Sequence, residues 1–268
     1  MRSAVGRVLS KAYAFLSLGR ALIALSYTAA QYAVVFVAVF FSAIVSAVAG
    51  FGFGLMSVPL ISLAIPLHPT VIVASLLGLT TNVIQSYRYR RSANLSLVKR
   101  LCVGAVVGMP FGFAVFSVVS DTVLRLILGV AVLIAVAVLA RGLDLTNVGP
   151  SFDFGTGFLS GVLNTSISTN GPPLVFGLQA RKLEPEPFRA TLSLVFAVSG
   201  IVGLALFVAG GKVHADELVV SAIALPALAL GLLAGFPLRY RFSAERFRLL
   251  VFALLIVAAV AAIAKAFT

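Results

Sequence analysis

Six of the seven residues from Asn164 to Asn170 carry an amide or a hydroxyl: Asn164, Thr165, Ser166, Ser168, Thr169 and Asn170. Gly171-Pro172-Pro173 follows directly, and both flanks are apolar. An earlier irregular stretch reads Gly50-Phe51-Gly52-Phe53-Gly54, with Ser57 and Pro59 just beyond it. Neither stretch contains a charge. Pro-Pro and closely spaced glycines do not continue a helix cheaply, so each stretch predicts a point where one helix stops and another starts. A restarting helix presents unpaired N–H groups and the positive end of its dipole, which hold an anion without any charged side chain. Glycines leave those N–H groups unscreened. The polar run adds side-chain donors that would be costly to bury without a role. The chemistry on offer is recognition of a small anion by neutral donors. We assign it to Gly52, Phe53, Gly54, Ser57, Asn164, Ser168, Thr169, Asn170 and Gly171, with Gly50, Pro59, Pro172 and Pro173 as the structural breaks.

Two other places could contribute. Thr80, Thr81, Asn82 and Gln85 form a polar stretch late in the apolar run 69–87, and Asn82 and Gln85 are candidates for lining the route. Arg189 opens a later run beside the second break, where a positive charge would draw anions to the inner mouth. Small residues also have a purely structural use in lipid, letting helices pack closely. That is the expected role of Gly104, Gly108, Gly112, Gly231 and Gly235. Pro66 and Pro69 read as turn formers, and His68 between them as a cap or an interfacial residue.

Enzyme chemistry is poorly supplied. The eight acidic residues fall in loops or at helix ends, which disfavours a relay of buried carboxylates. There is no His-Glu-x-x-His, no phosphate-loop lysine and no nucleophile elbow. Cys102 is the single cysteine, and His68 and His214 are far apart in sequence, so no cofactor or metal is expected.

The elements that must position these residues follow from composition. Of 268 residues, 61% are apolar and 10% charged, against about 25% charged in soluble domains. Seven windows hold no Asp, Glu, Lys or Arg: 21–87, 101–120, 126–140, 154–180, 190–211, 218–238 and 249–264. A helix crosses hydrocarbon in about 20 residues, so the chain is expected to be an all-α, polytopic membrane protein. Ten-residue strand alternation, the mark of a membrane barrel, is absent. The net charge of +12 would suggest nucleic acid in a soluble protein. Here it sits in short clusters between neutral runs, which orients the chain and meets lipid headgroups instead. The expected partners are a small anionic substrate and membrane lipid, with a homodimer as the oligomeric option and no nucleic acid.

Residues 31–141 and 152–268 read as two copies of one unit, joined by a linker at 142–151 and preceded by an N-terminal helix at 1–30, either an extra span or an amphipathic segment. Pro59-Leu60 aligns with Pro173-Leu174, Ala74-Ser75-Leu76 with Ala190-Thr191-Leu192, and Gly108 and Gly112 with Gly231 and Gly235. If the broken segments are re-entrant hairpins meeting near the midplane and 12–30 is an extra span, all four basic clusters face the cytoplasm. Arg125, Lys212 and Lys265 then remain outside. This satisfies the positive-inside rule and makes the repeats inverted, whereas eight simple spans would leave the last two clusters outside.

The glycine-rich stretch at 50–54 before Pro59, paired with Asn170-Gly171-Pro172-Pro173-Leu174 in a second copy, resembles the sulfite exporter TauE/SafE family over about 31–267. Members typically carry three consecutive glycines in each copy; here Phe53 interrupts the first run, and Ser168, Thr169 and Asn170 occupy the second. The resemblance implies transport of a small sulfur-containing anion, such as sulfite or an organosulfonate like sulfoacetate, usually outward across the bacterial cytoplasmic membrane. An interior-negative potential of about 100 mV drives each negative charge outward by about 2.3 kcal/mol, so export needs no coupling ion. Two alternatives stay open: the same scaffold moving another small anion or a carboxylate, and a membrane assembly subunit whose polar breaks serve packing.

Overall fold

A computed structural model describes residues 26–141, 149–179, 181, 183–238 and 244–267. The expected extra span at 12–30 therefore falls mostly outside the described residues, as does most of the 142–151 linker. Ten α-helices make up the described structure, with one short 3-10 turn and no strand among the described residues. They are α1 (Ala29–Ala49), α2 (Phe53–Ile61), α3 (Leu67–Tyr89), α4 (Leu95–Val118), α5 (Asp121–Arg141), α6 (Pro150–Ile167), α7 (Gly171–Gln179), α8 (Pro185–Ala209), α9 (Ala215–Leu238) and α10 (Ala244–Ala264). Six of them are long and apolar enough to cross a membrane: α1, α3, α4, α5, α8 and α9. In lipid, helices satisfy their own backbone, which is why so apolar a chain resolves into helices alone.

Local chemistry sets the ends. Thr28 and Gln31 form a capping box at the start of α1, pairing two N–H groups that the helix cannot pair itself. Asn94 caps α4 by accepting from the Leu97 N–H at 3.2 Å. Pro150 sits just inside the start of α6, where its missing N–H costs nothing. Pro59 behaves differently from the expectation that it marks a break. It lies inside α2, which runs on to Ile61. The only intrahelical bond its ring deletes is the one to the Leu55 carbonyl, four residues back. The interruption lies earlier, at Gly50–Gly52, where α1 has ended and α2 not begun.

Contacts at the helix ends sort the connections into two groups. At one end, Gln31 Nε2 donates to the Ala64 carbonyl at 2.7 Å, joining the start of α1 to the residues just after α2. There too the Asp121 carboxylate accepts from the Leu67 and His68 N–H groups at 2.7 and 3.2 Å. Lys265, after α10, reaches the Ser62 and Leu63 carbonyls. At the other end Arg181, after α7, donates to Asp153 in the first turn of α6 at 2.8 and 2.9 Å. Arg100 of α4 approaches the same carboxylate at 3.4 Å, and Ser92 donates to Glu186 of α8 at 2.8 Å. Thus α1 and α2 together return to the end where α1 began, and α6 with α7 does the same at the opposite end.

The helices pack in matched pairs: α4 on α6, α9 on α1, α3 on α8 and α5 on α10. Glycines make the first two possible. A methyl group at Gly104, Gly108 or Gly112 would overlap the backbone of Phe154, Phe158 or Val162, and one at Gly157 or Gly161 would overlap Leu101 or Ala105. Gly231 and Gly235 similarly face Phe40, Ala43, Ile44 and Ala47. Apolar burial drives helix association weakly in lipid, so close backbone approach supplies the van der Waals contact instead.

Candidate functional site

The interruptions between α1 and α2 and between α6 and α7 are built differently. Gly50 and Gly52 stand at φ 84° and 93°, a region that costs glycine nothing and other residues a good deal. Gly50 closes α1 through its N–H to the Ser46 carbonyl at 2.8 Å. Gly52 starts α2 with no side-chain cap, and the first backbone bond of that helix runs from Met56 N–H to the Gly52 carbonyl at 3.1 Å. The N–H groups of Phe53, Gly54 and Leu55 are therefore the first-turn donors with no partner inside α2. At the second interruption Ser168 itself takes the left-handed conformation, φ 52°. It is held there by its N–H to the Asn164 carbonyl at 3.0 Å and by the Thr169 N–H to Leu163 at 3.2 Å. Ser160 Oγ donates to the Asn170 carbonyl at 2.9 Å. α7 then opens with Gly171-Pro172-Pro173. The prolines start this helix rather than interrupt one, and they carry no N–H, so Gly171 is its principal first-turn donor.

The interruptions touch. Gly54 lies so close to the Ser168 carbonyl that a methyl group on Gly54 would overlap its oxygen and come within 3.2 Å of its carbon. Ser75 of α3 donates to the Val71 carbonyl at 2.7 Å, and its Oγ lies within hydrogen-bond distance of Ser168 Oγ, at 3.1 Å. Between the two interruptions and the middles of α3 and α8 lies a cavity of about 30 Å³, more than the space one water needs. Gly52, Phe53, Gly54, Asn82, Asn164, Ser168, Asn170 and Gly171 line it, together with Ser75, Gly78, Gly200 and Gly203 and an apolar wall that includes Phe196 and Phe207. No Lys, Arg, His, Asp or Glu is among the lining residues. Asn164, nine-tenths buried, donates from Nδ2 to the Ser199 carbonyl at 3.1 Å. Its second N–H remains for another acceptor. The bare Cα of Gly203 gives that amide room, since a Cβ there would stand 2.7 Å from Nδ2.

Four of the residues assigned from sequence lie outside the lining. Ser57 is fully buried one turn into α2, and its hydroxyl has no hydrogen-bond partner among the described residues. Gln85 donates to Ser46 Oγ at 2.9 Å, tying α3 to the end of α1. Thr169 Oγ donates to the Ile167 carbonyl at 3.0 Å. The Arg189 side chain lies across Gly50, where a Cβ would come within 2.9 Å of its Cγ. A polar run does not state which of its side chains face a shared space: Thr169, between α6 and α7, turns to the Ile167 carbonyl, and Gln85 turns to Ser46. Ser75 was missed although it belongs to an aligned repeat segment. Gly78, Gly200 and Gly203 gave no signal beyond that of packing glycines.

Charge stands behind the helices. Arg125, 7% exposed, donates to the Ser62 carbonyl at 2.8 Å and reaches Ile65 at 3.5 Å, while Lys265 meets Ser62 and Leu63. Both cations therefore cover the carbonyl end of α2, whose opposite end faces the cavity, and Asp121 stands 3.8 Å from Arg125. Asp121 also pairs with His68 Nδ1, and His68 Nε2 meets the Phe116 carbonyl at 3.0 Å. At the end of α7, Arg181 is neutralised by Asp153 at 2.7 Å.

The sulfite exporter TauE/SafE family model matches residues 35–262, which takes in both interruptions and every residue lining the cavity. The chain belongs to the sulfite exporter TauE/SafE family. No curated protein and no solved structure matches it. TauE/SafE proteins are membrane transporters of small sulfur-containing anions rather than enzymes, and the six apolar helices make this member a multi-pass membrane protein. In a TauE/SafE chain, an uncharged cavity walled by helix starts, amides and hydroxyls can hold an anion through hydrogen bonds and dipoles alone.

Proposed function

We propose that this transporter exports a compact sulfur oxyanion such as sulfite across the bacterial cytoplasmic membrane, holding it between the first turns of α2 and α7. The observation that carries the reading is the cavity, where two separately broken segments converge with neutral donors from both. Its size favours sulfite over an extended organosulfonate such as sulfoacetate.

The scaffold for this is a pair of inverted repeats, α1–α5 and α6–α10, with α1–α2 and α6–α7 as re-entrant hairpins. Helix lengths of 21, 9, 23, 24 and 21 residues recur as 18, 9, 25, 24 and 21. The helix pairing is reciprocal: the fourth helix of each half packs on the first of the other, third packs on third, and fifth on fifth. Such exchange is what a two-fold axis between copies produces. Basic residues concentrate at one end of the molecule, at Arg88, Arg91, Lys99, Arg100 and Arg181, which supports assigning that end to the cytoplasm. With no carboxylate in the cavity to carry a coupling proton, membrane potential drives the anion outward.

Flux tests the reading. Purified protein in liposomes should release preloaded sulfite when an interior-negative potential is imposed, and Asn170→Ala should slow release. Release that is independent of protein, or unchanged in the variant, refutes the transport site. In a Cys102→Ala background, cysteines at Leu183 and Lys212 should label from opposite faces of the membrane, Leu183→Cys from the cytoplasm. Labelling of both from one face rules out the inverted arrangement.

A further inference from the structure

We infer that the cavity selects anions by charge, taking a single negative charge and rejecting two, so that sulfite travels as its protonated form, hydrogensulfite. The inference rests on the proposal that this cavity is the anion site.

It follows from a count of the positive charge available there. A helix start is worth about half an elementary charge, and two starts face the cavity, so their sum is about one. The second of them is the weaker, because Pro172 and Pro173 offer no N–H and leave Gly171 as its main donor. The side chains add hydrogen bonds and no charge, since Asn82, Asn164, Asn170, Ser75 and Ser168 are all neutral. Among the described residues no charged group lines the cavity, and those bonded to α2 and α7 sit at the far ends of these helices. Arg125 and Lys265 bond the far carbonyls of α2, with Asp121 and His68 beside them. Arg181 and Asp153 neutralise each other at the far end of α7. Arg189 lies over Gly50, outside the lining. Covering the negative pole of α2 keeps its positive pole effective at the cavity without placing a cation against the substrate.

Volume also weighs against a dianion. A second charge would need water or a counter-ion, because an uncompensated charge in a low-dielectric interior is costly. About 30 Å³ is space for about two waters, fewer than the shell that hydrates a dianion in solution. A monoanion also donates through its own proton, and side-chain oxygens of Asn164, Asn170 and Ser168 are acceptors for it.

The test uses the full chain in detergent, read by thermal stability, since a ligand binding only the folded state raises its melting temperature. Three probes differ in charge: methanesulfonate is a monoanion throughout, sulfate a dianion throughout, and sulfite passes from one to two charges near neutral pH. Methanesulfonate should stabilise the protein equally at acidic and alkaline pH, and sulfate should not stabilise it. Sulfite should weaken about tenfold in apparent affinity for each pH unit once it deprotonates, following the fraction in the competent form. Sulfate binding as well as methanesulfonate, or sulfite binding that holds or strengthens at alkaline pH, overturns the inference while leaving the anion site intact. No stabilisation by any probe at any pH refutes the anion site and this inference with it. Asn82→Lys adds one positive charge to the wall and is expected to admit sulfate. A variant that folds, binds methanesulfonate and still rejects sulfate overturns the charge argument.

Discussion

Replacing Gly54 with alanine should separate the two interruptions. In an isolated helix the change would stabilise by about 0.5–1 kcal/mol, because glycine loses more backbone freedom on folding. Here the added methyl would overlap the Ser168 carbonyl oxygen, a backbone atom that cannot rotate aside as a flexible side chain could. Restoring ordinary contact requires α2 and the Ser168 loop to move apart by more than about 1 Å, and such overpacking costs at least about 1–3 kcal/mol. The expected net effect is destabilisation, opposite in sign to helix propensity. It should appear as a fall of several degrees in melting temperature, since about 1 kcal/mol corresponds to roughly 2–4 °C at this chain length. Flux should fall more steeply, because Ser168 and the first turn of α2 both line the cavity and a displacement of about 1 Å is large compared with hydrogen-bond tolerances. Gly155 is the control: a Cβ there meets nothing within 4 Å, so Gly155→Ala should keep or raise the melting temperature. Gly54→Ala with unchanged or raised stability and full flux would refute the close approach on which the site depends.

Three further outcomes follow from the packing and the ion pairs. Gly108→Leu should detach α4 from α6 and abolish the folded protein in size-exclusion chromatography, whereas Val107→Leu on an exposed face should elute as wild type. Asp153→Asn removes the buried partner of Arg181 and Arg100 and should cost about 1–3 kcal/mol, read as a lower melting temperature; Arg100→Gln, which breaks only the longer contact, should cost little. Arg125→Met leaves the Ser62 carbonyl with the longer Lys265 contact and the Ile65 carbonyl without its donor. It should lower stability by about 1–3 kcal/mol, with Arg125→Lys restoring part of the loss.

Much of the molecule is legible in one dimension. The charge-free windows marked the apolar helices, and the glycine cluster and the Asn-Gly-Pro-Pro run marked where helices would end, because both signals are local: backbone conformation and hydrocarbon length act on short segments. Eight of the twelve residues assigned to the site from sequence converge on one cavity. Of the four that do not, Thr169 is flanked by lining residues but bonds elsewhere, while Ser57, Gln85 and Arg189 lie off the lining. A polar run states that a segment is unusual without stating which of its side chains share a face. Pro59 misled for a related reason: a proline near the end of a short helix costs a single bond and need not stop it.

Composition and pattern alone determined that the chain is helical and lives in lipid, and its glycine-rich and Asn-Gly-Pro-Pro motifs carried the resemblance to the TauE/SafE family. The return of α1–α2 and of α6–α7 to their own starting ends was decided by tertiary contacts, Gln31 to Ala64 and Asp153 to Arg181, between residues up to 33 positions apart. So was the meeting of Gly54 with Ser168, and the covering of the far end of α2 by Arg125 and Lys265. The reason is physical. Hydrogen-bonded helices form from nearby residues, but where a helix end lies depends on which bare backbones can press together, and only the folded packing sets that.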